Sequence, residues 1–139
     1  MPRTSQPDKE LCSNLLSSKE GFYWKEVELT VQNILDLNCG DVRTEAMLRR
    51  GIELIAEVRN APIRAENAHE LIRSLEVKSI IDNCEMIMRA SLERHESRKR
   101  PVRFQRSDFP EQDENNYFAF LALRLENGEF KFSKISIKR

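Results

Sequence analysis

At 139 residues, with 23 basic and 23 acidic side chains, the chain is domain-sized and formally neutral. That balance argues against a general nucleic-acid binder, so no nucleic-acid partner is expected. Three widely spaced cysteines (Cys12, Cys39, Cys84) without CxxC spacing, and only His69 and His95 besides, argue against a zinc site or a disulfide framework. Unpaired thiols fit a reducing, cytoplasmic setting. No apolar run approaches the roughly 20 residues that span a bilayer.

Met1 to Pro7 is polar, without the apolar centre of a signal peptide. A short helix over 8–19 is expected through Leu11, Leu15 and Leu16, broken at Gly21. The first long helix is expected from Tyr23 to Asn38. Trp24, Val27, Val31, Ile34, Leu35 and Asn38 share one face at three- and four-residue steps. Gly40 stands where a left-handed residue would close that helix.

A second helix is expected from Thr44 to Arg59, with Thr44 as N-cap and Met47, Leu48, Ile52, Leu54, Ile55 and Val58 inward. Gly51 inside it points to a close helix–helix contact. Asn60-Ala61-Pro62 ends it. The third and longest runs from Asn67 to Ser97, on the order of 45 Å. Asn67 and Glu70 have capping-box spacing. Its apolar stripe is read as Leu71, Ile72, Leu75, Ile80, Cys84, Ile87, Met88 and Ser91. An Ile80→Asp substitution is expected to unfold the bundle.

Pro101 ends the helical region. The segments Tyr117–Leu125 and Phe130–Ile137 read as strands about Asn127-Gly128, the strongest short hairpin signal. Phe118, Phe120 and Ala122 lie on one face, Ala119, Leu121 and Leu123 on the other. A helical bundle covers one face, so the second implies an absent neighbour. The expected fold is mainly α: an antiparallel three-helix bundle with a C-terminal β-hairpin. It divides into a lead with a short helix (1–22), the bundle (23–100), and a connector with the hairpin (101–139).

The connector holds the unusual chemistry. Arg94, Arg98, Lys99, Arg100, Arg103 and Arg106 fall within 13 residues. Two readings stand: an anion site, or cations complementing a helix C-terminus. Glu96 beside Arg98 and Asp108 beside Arg106 are candidate ion pairs, which if buried would mark an interface. Cys84, Trp24 and the methionines read as packing residues. His69 and His95 lack the second group that acid–base catalysis needs. The four glycines are too scattered for a dinucleotide or phosphate loop, so no cofactor fold is expected within this chain.

Four segments taken in order resemble the C-terminal region of fumarate reductase/succinate dehydrogenase flavoprotein subunits, nearest the branch related to adenylylsulfate reductase α subunits. They are Trp24-Lys25-Glu26-Val27 through Asn38-Cys39-Gly40; Asn67 to Val77; Arg89 to Arg98; and Phe104-Gln105-Arg106-Ser107-Asp108-Phe109-Pro110-Glu111-Gln112-Asp113. The resemblance implies a spectrin-repeat-like three-helix bundle, inactive alone, that packs against the FAD-binding domain of the same subunit. FAD would sit in that absent domain. An iron–sulfur subunit is a further implied partner, and a homodimer is expected of the isolated domain. Glu96, Ser97, Arg98, Arg106, Asp108 and Asp113 are the implied interface or anion contacts, with no catalytic, cofactor or metal residue.

Departures are visible. Lys99-Arg100-Pro101 stands where relatives have Gly and a nearby His. Tyr117 stands where they have Trp, and Ala68 where Pro is common. The alternative reading is a freestanding helical adaptor without a redox role. If Arg98 serves an absent partner, Arg98→Ala is expected to leave the isolated domain's stability unchanged.

Overall fold

The structure, a computed structural model, describes residues 6–99 and 104–137. The start of the polar lead, Arg100, Pro101 and Arg103 lie outside the described residues. Helix α1 (Gln6–Ser17) is followed by α2 (Trp24–Asn38), strand β1 (Val42–Arg43), α3 (Glu45–Arg59) and α4 (Ala68–Glu93). Strand β2 (Gln105–Arg106), the short helix α5 (Glu114–Tyr117) and the hairpin strands β3 (Ala119–Glu126) and β4 (Glu129–Ser136) complete the chain.

The helix starts are written in local chemistry. Glu26 accepts a hydrogen bond from the Tyr23 amide (2.8 Å), Thr44 Oγ1 from Met47 N (3.2 Å), and Asn67 Oδ1 from Glu70 N (3.0 Å). The Glu70 carboxylate reaches back to Glu66 N (2.7 Å), one residue before the cap. Helices α2, α3 and α4 pack on one another as the three-helix bundle. Val27, Val31 and Ile34 meet Leu48 and Ile55, and Val77, Ile81, Cys84 and Met88, in one buried cluster. Leu15 of α1 joins it. Each such aliphatic side chain contributes about 1.5–3 kcal/mol by burial.

The buried line of α4 differs from the expected stripe. It runs Ser74, Val77, Ile81, Cys84, Met88 and Ser91, alternating steps of three and four. Ile80 is only partly buried, and Ile72 and Ile87 are 57% and 47% exposed. Apolar neighbours stand in pairs here (Leu71-Ile72, Ile80-Ile81, Ile87-Met88), so periodicity alone leaves the helix's rotation open. Ser74 and Ser91 lie on the buried line, and Met88 on it meets Gly51 of α3.

Two glycines work by close approach. A Cβ on Gly51 would lie 2.6 Å from Met88 Sδ and 2.8 Å from Asn38 Cβ, so the expected tight helix–helix contact is present. Gly40 is not left-handed, contrary to expectation. The helix is closed by Cys39 (φ −139°), whose amide donates to Leu35 O (2.7 Å), and a Cβ on Gly40 would lie 2.8 Å from Asp36 O.

Helix α4 also ends at Glu93, four residues short of the expected Ser97. Arg94 leaves it with φ −85° and ψ 104°. Tyr117, expected in a strand, closes α5 instead. In the hairpin, Glu126 pairs with Glu129 across Asn127 (φ 53°) and Gly128 (φ 81°), as Asn-Gly requires.

Candidate functional site

The connector folds over the C-terminal end of the bundle. Strand β2 pairs in parallel with β1, placing Arg106 beside Arg43. Ser97 ties the layers together. Its amide donates to Glu111 O (2.9 Å), and its hydroxyl accepts from Arg106 N (2.8 Å) while lying 2.8 Å from Phe109 O.

Arg106 is 1% exposed. One guanidinium nitrogen donates to the carbonyls of Ser91 (2.6 Å), Leu92 (3.2 Å) and Arg94 (3.2 Å), groups that a helix C-terminus leaves without partners. Its Nε and remaining nitrogen grip both oxygens of Asp108, at 2.8 and 2.6 Å. Asp108 Oδ2 in turn accepts from Glu45 N (2.9 Å), the first residue of α3. The Arg106 hydrogen bonds hold the Asp108 carboxyl down at about 2.

Glu96 is fully buried. One oxygen accepts from Arg94 and from Arg98 Nε (2.6 Å); the other accepts from Asp113 N (3.0 Å). The Glu96 hydrogen bond raises the Arg98 guanidinium above its ordinary pKa. Arg98 also donates to Tyr117 O (2.9 Å), and Arg94 to Ala119 O (3.0 Å), so both arginines fasten the hairpin's start to the helix end. The Asp113 carboxylate caps α5 through Asn116 N (3.0 Å), and its pKa is lowered chiefly by hydrogen bonds from Asn116.

All six sequence-selected residues therefore converge on one junction. Glu96 and Arg106 are sealed inside it, so any effect they have on another body is indirect. Of the two readings of the basic stretch, Arg106 follows the helix-terminus one. Both expected ion pairs form, and they join parts of this chain. His95 stacks on Phe109 (centroids 4.6 Å apart). Cys84 is buried in the core, its thiol pKa raised by burial.

Arg43 was not singled out from sequence. It donates to Gly40 O (2.8 Å) and Ser91 Oγ (2.7 Å) and lies over the Phe104 ring. Among the described residues no carboxylate lies within ion-pairing distance of it. With Ile87, Ala90, Phe118, Phe120, Leu121 and Ile137 it lines an open, mostly apolar groove of about 460 Å³.

Among the described residues no cluster could hold a metal, and no helix is long and apolar enough to cross a membrane. Among the described residues, the buried polar side-chain atoms without a partner, Trp24 Nε1 and Ser74 Oγ, belong to the opposite end of the bundle. Arg94, Arg98 and Arg106 face carboxylates and carbonyls of this chain.

Residues 28–138 match the family described as fumarate reductase flavoprotein C-term. The fumarate reductase flavoprotein subunit of Haemophilus influenzae is 27% identical over 126 residues, 84% of this chain and 20% of the relative. Adenylylsulfate reductase from Archaeoglobus fulgidus superposes with a TM-score of 0.81 at 24% identity, over 94% of this chain and 22% of that one. Escherichia coli quinol fumarate reductase gives a TM-score of 0.81 at 18% identity, over 96% of this chain and 24% of that one. At these identities the structural likeness is one of fold, and the chain spans about a fifth of the length of the curated relative it matches. With four-fifths of its length inside the matched segment, and the three-helix bundle and hairpin in place, the chain belongs to the fumarate reductase flavoprotein C-terminal family.

Proposed function

We propose that this domain serves as the helical C-terminal support of a flavin-dependent, fumarate reductase/succinate dehydrogenase-like subunit, packing against the body that binds FAD and making no bond to substrate itself. The carrying observation is the hairpin. Phe120 is 66% exposed and Ile135, its cross-strand partner, 55%. Phe118, Ala122 and Ile137 extend the same face, and apolar surface of this kind marks contact with another body. The buried charge junction supports the reading, because it fixes the hairpin rigidly to the end of α4. An iron–sulfur subunit, where present, would meet the assembled subunit. No observation favours the freestanding adaptor.

The test is reconstitution. The 139-residue chain is mixed with the Haemophilus influenzae fumarate reductase flavoprotein subunit truncated before the region this chain matches. Co-elution of a yellow complex is expected, with flavin absorbance absent from this chain alone after incubation with FAD. Absence of any complex, or flavin retained by the chain alone, overturns the reading.

A further inference from the structure

Hairpin parity decides which backbone groups are free. Ile137 N–H donates to Phe118 O (3.5 Å), and the two-residue turn closes on Glu126 and Glu129. Hydrogen-bonded and non-bonded pairs alternate along an antiparallel ladder. Phe118, Phe120, Ala122, Arg124 and Glu126 therefore turn their amides and carbonyls toward β4. Ala119, Leu121, Leu123 and Leu125 turn theirs outward.

The outward carbonyl of Ala119 is taken by Arg94 (3.0 Å). Beyond it, the backbone groups of Leu121, Leu123 and Leu125 meet no partner outside the hairpin among the described residues. This edge carries no proline and no lysine, whereas β4 carries Lys131 and Lys134. Charge and proline are the ordinary guards against strand pairing, and from Ala119 to Leu123 β3 carries neither, Arg124 and Glu126 following only beside the turn. The groove is lined by Ala119, Phe120 and Leu121 from the first half of that strand, with mostly apolar walls and Arg43, Arg94 and Arg98 among its lining.

We propose that the outer edge of β3 receives an extended strand from the remainder of the flavoprotein subunit. This rests on the support role above and names its contact. The incoming strand hydrogen-bonds to Leu121 and Leu123, lays apolar side chains along Ile87 and Phe120, and places a carboxylate against Arg43. Two observations select this occupant. About four-fifths of the curated relative's length lies outside the match, so chain is available to supply the strand. Arg43 is half-buried and meets no carboxylate among the described residues, a positive charge that an acidic residue complements. Strand addition takes its affinity from main-chain bonds and its specificity from side-chain pockets.

The experiment follows amide hydrogen exchange of the full 139-residue chain, free and with the truncated Haemophilus influenzae subunit. In the free chain, Leu121, Leu123 and Leu125 exchange fast and Phe120 and Ala122 slowly. On complex formation the three outward amides become protected. Leu123→Pro removes one outward donor without touching the hairpin's own ladder and weakens association at least about tenfold. Lys131→Pro, at an inward position, is the control that disrupts the hairpin itself. A complex that forms without new protection at the outward amides overturns strand addition and leaves the support role standing. No complex overturns both. Outward amides already protected in a concentration-dependent dimer of the free chain assign the edge to a second copy and overturn the proposal.

Discussion

Arg106 and Asp108 form a bidentate ion pair that closes two helices of opposite polarity at once. The guanidinium takes the last carbonyls of α4, and the carboxylate takes the first amide of α3. A positive group at a helix C-terminus and a negative one at an N-terminus each gain from the helix dipole. Here the two gains share one pair. The geometry needs a planar fork with several donors, which arginine has and lysine lacks.

Arg106→Ala therefore leaves the Ser91, Leu92 and Arg94 carbonyls and the partly exposed Asp108 carboxylate without their arginine. The expected loss of stability is about 1–3 kcal/mol, the range for leaving polar groups without a hydrogen-bond partner. Arg106→Lys recovers little of it. Urea denaturation of both variants checks this; a lysine variant as stable as the parent shows that the fork geometry is unimportant.

The same pair sets an acid dependence. The Asp108 pKa is lowered in the folded chain to about 2 from an ordinary value near 4. A depressed folded pKa contributes stability that is complete above the unfolded value and is lost as pH falls through the folded one. The chain should lose this contribution between about pH 4 and pH 2. Asp108→Asn should be less stable at neutral pH and show a flatter decline in that window. Superimposable pH–stability curves for the two proteins would count against the pairing.

The bundle was legible in the sequence because helix caps, apolar spacing and Gly51 all act locally. Thr44 and Asn67 announced helix starts, and Asn127-Gly128 announced the hairpin. The junction was legible only as a set of residues. Glu96, Ser97, Arg98, Arg106, Asp108 and Asp113 were selected together, but a charge in sequence does not say which way it points. Glu96 resembles a surface carboxylate until Arg94, Arg98 and the Asp113 amide enclose it. The end of α4 was misplaced for the same reason. Arg94 is drawn off the helix by partners 2 to 25 residues further along, and Arg106 replaces the turn that would have followed. Arg43 carried no signal, since its place follows from the parallel pairing of β1 with β2.

The expectation that Arg98→Ala is silent is therefore replaced. Arg98 Nε holds the buried Glu96 carboxylate, and its terminal nitrogen holds Tyr117 O. Removing it should cost about 1–3 kcal/mol, since Glu96 keeps Arg94 and an amide. Glu96→Gln should cost more, about 3–5 kcal/mol, because two arginines lose their common counter-charge. Thermal melts rank the two. An Arg98→Ala melting temperature equal to the parent's restores the original expectation.

The rotation of α4 gives a sharper test than the original Ile80 substitution. Ile81 is 2% exposed and Ile87 47%. Ile81→Asp buries an unpaired carboxylate and should unfold the bundle. Ile87→Asp should change stability by no more than about 0.5–1 kcal/mol in the isolated chain. Ile80→Asp should fall between them. Circular dichroism reads all three, and an unfolded Ile87→Asp with a folded Ile81→Asp would place the core on the other side of the helix.

Gly51→Ala sets two effects against each other in α3. Alanine is favoured over glycine in a helix interior by about 1 kcal/mol. The new methyl, however, would stand 2.6 Å from Met88 Sδ and 2.8 Å from Asn38 Cβ. Met88 is fully buried, so its thioether has nowhere to go, and a Cβ atom moves only with its backbone. Overpacking of this kind costs about 1–3 kcal/mol, which exceeds the propensity gain. The melting temperature should fall by roughly 2–6 °C for a chain of this size. Trimming only one neighbour, as in Gly51→Ala with Met88→Ala, should fail to recover it, because Asn38 Cβ still blocks the methyl and the core then carries a void. A rise in melting temperature for Gly51→Ala alone would mean that α2 and α3 are further apart than the structure places them.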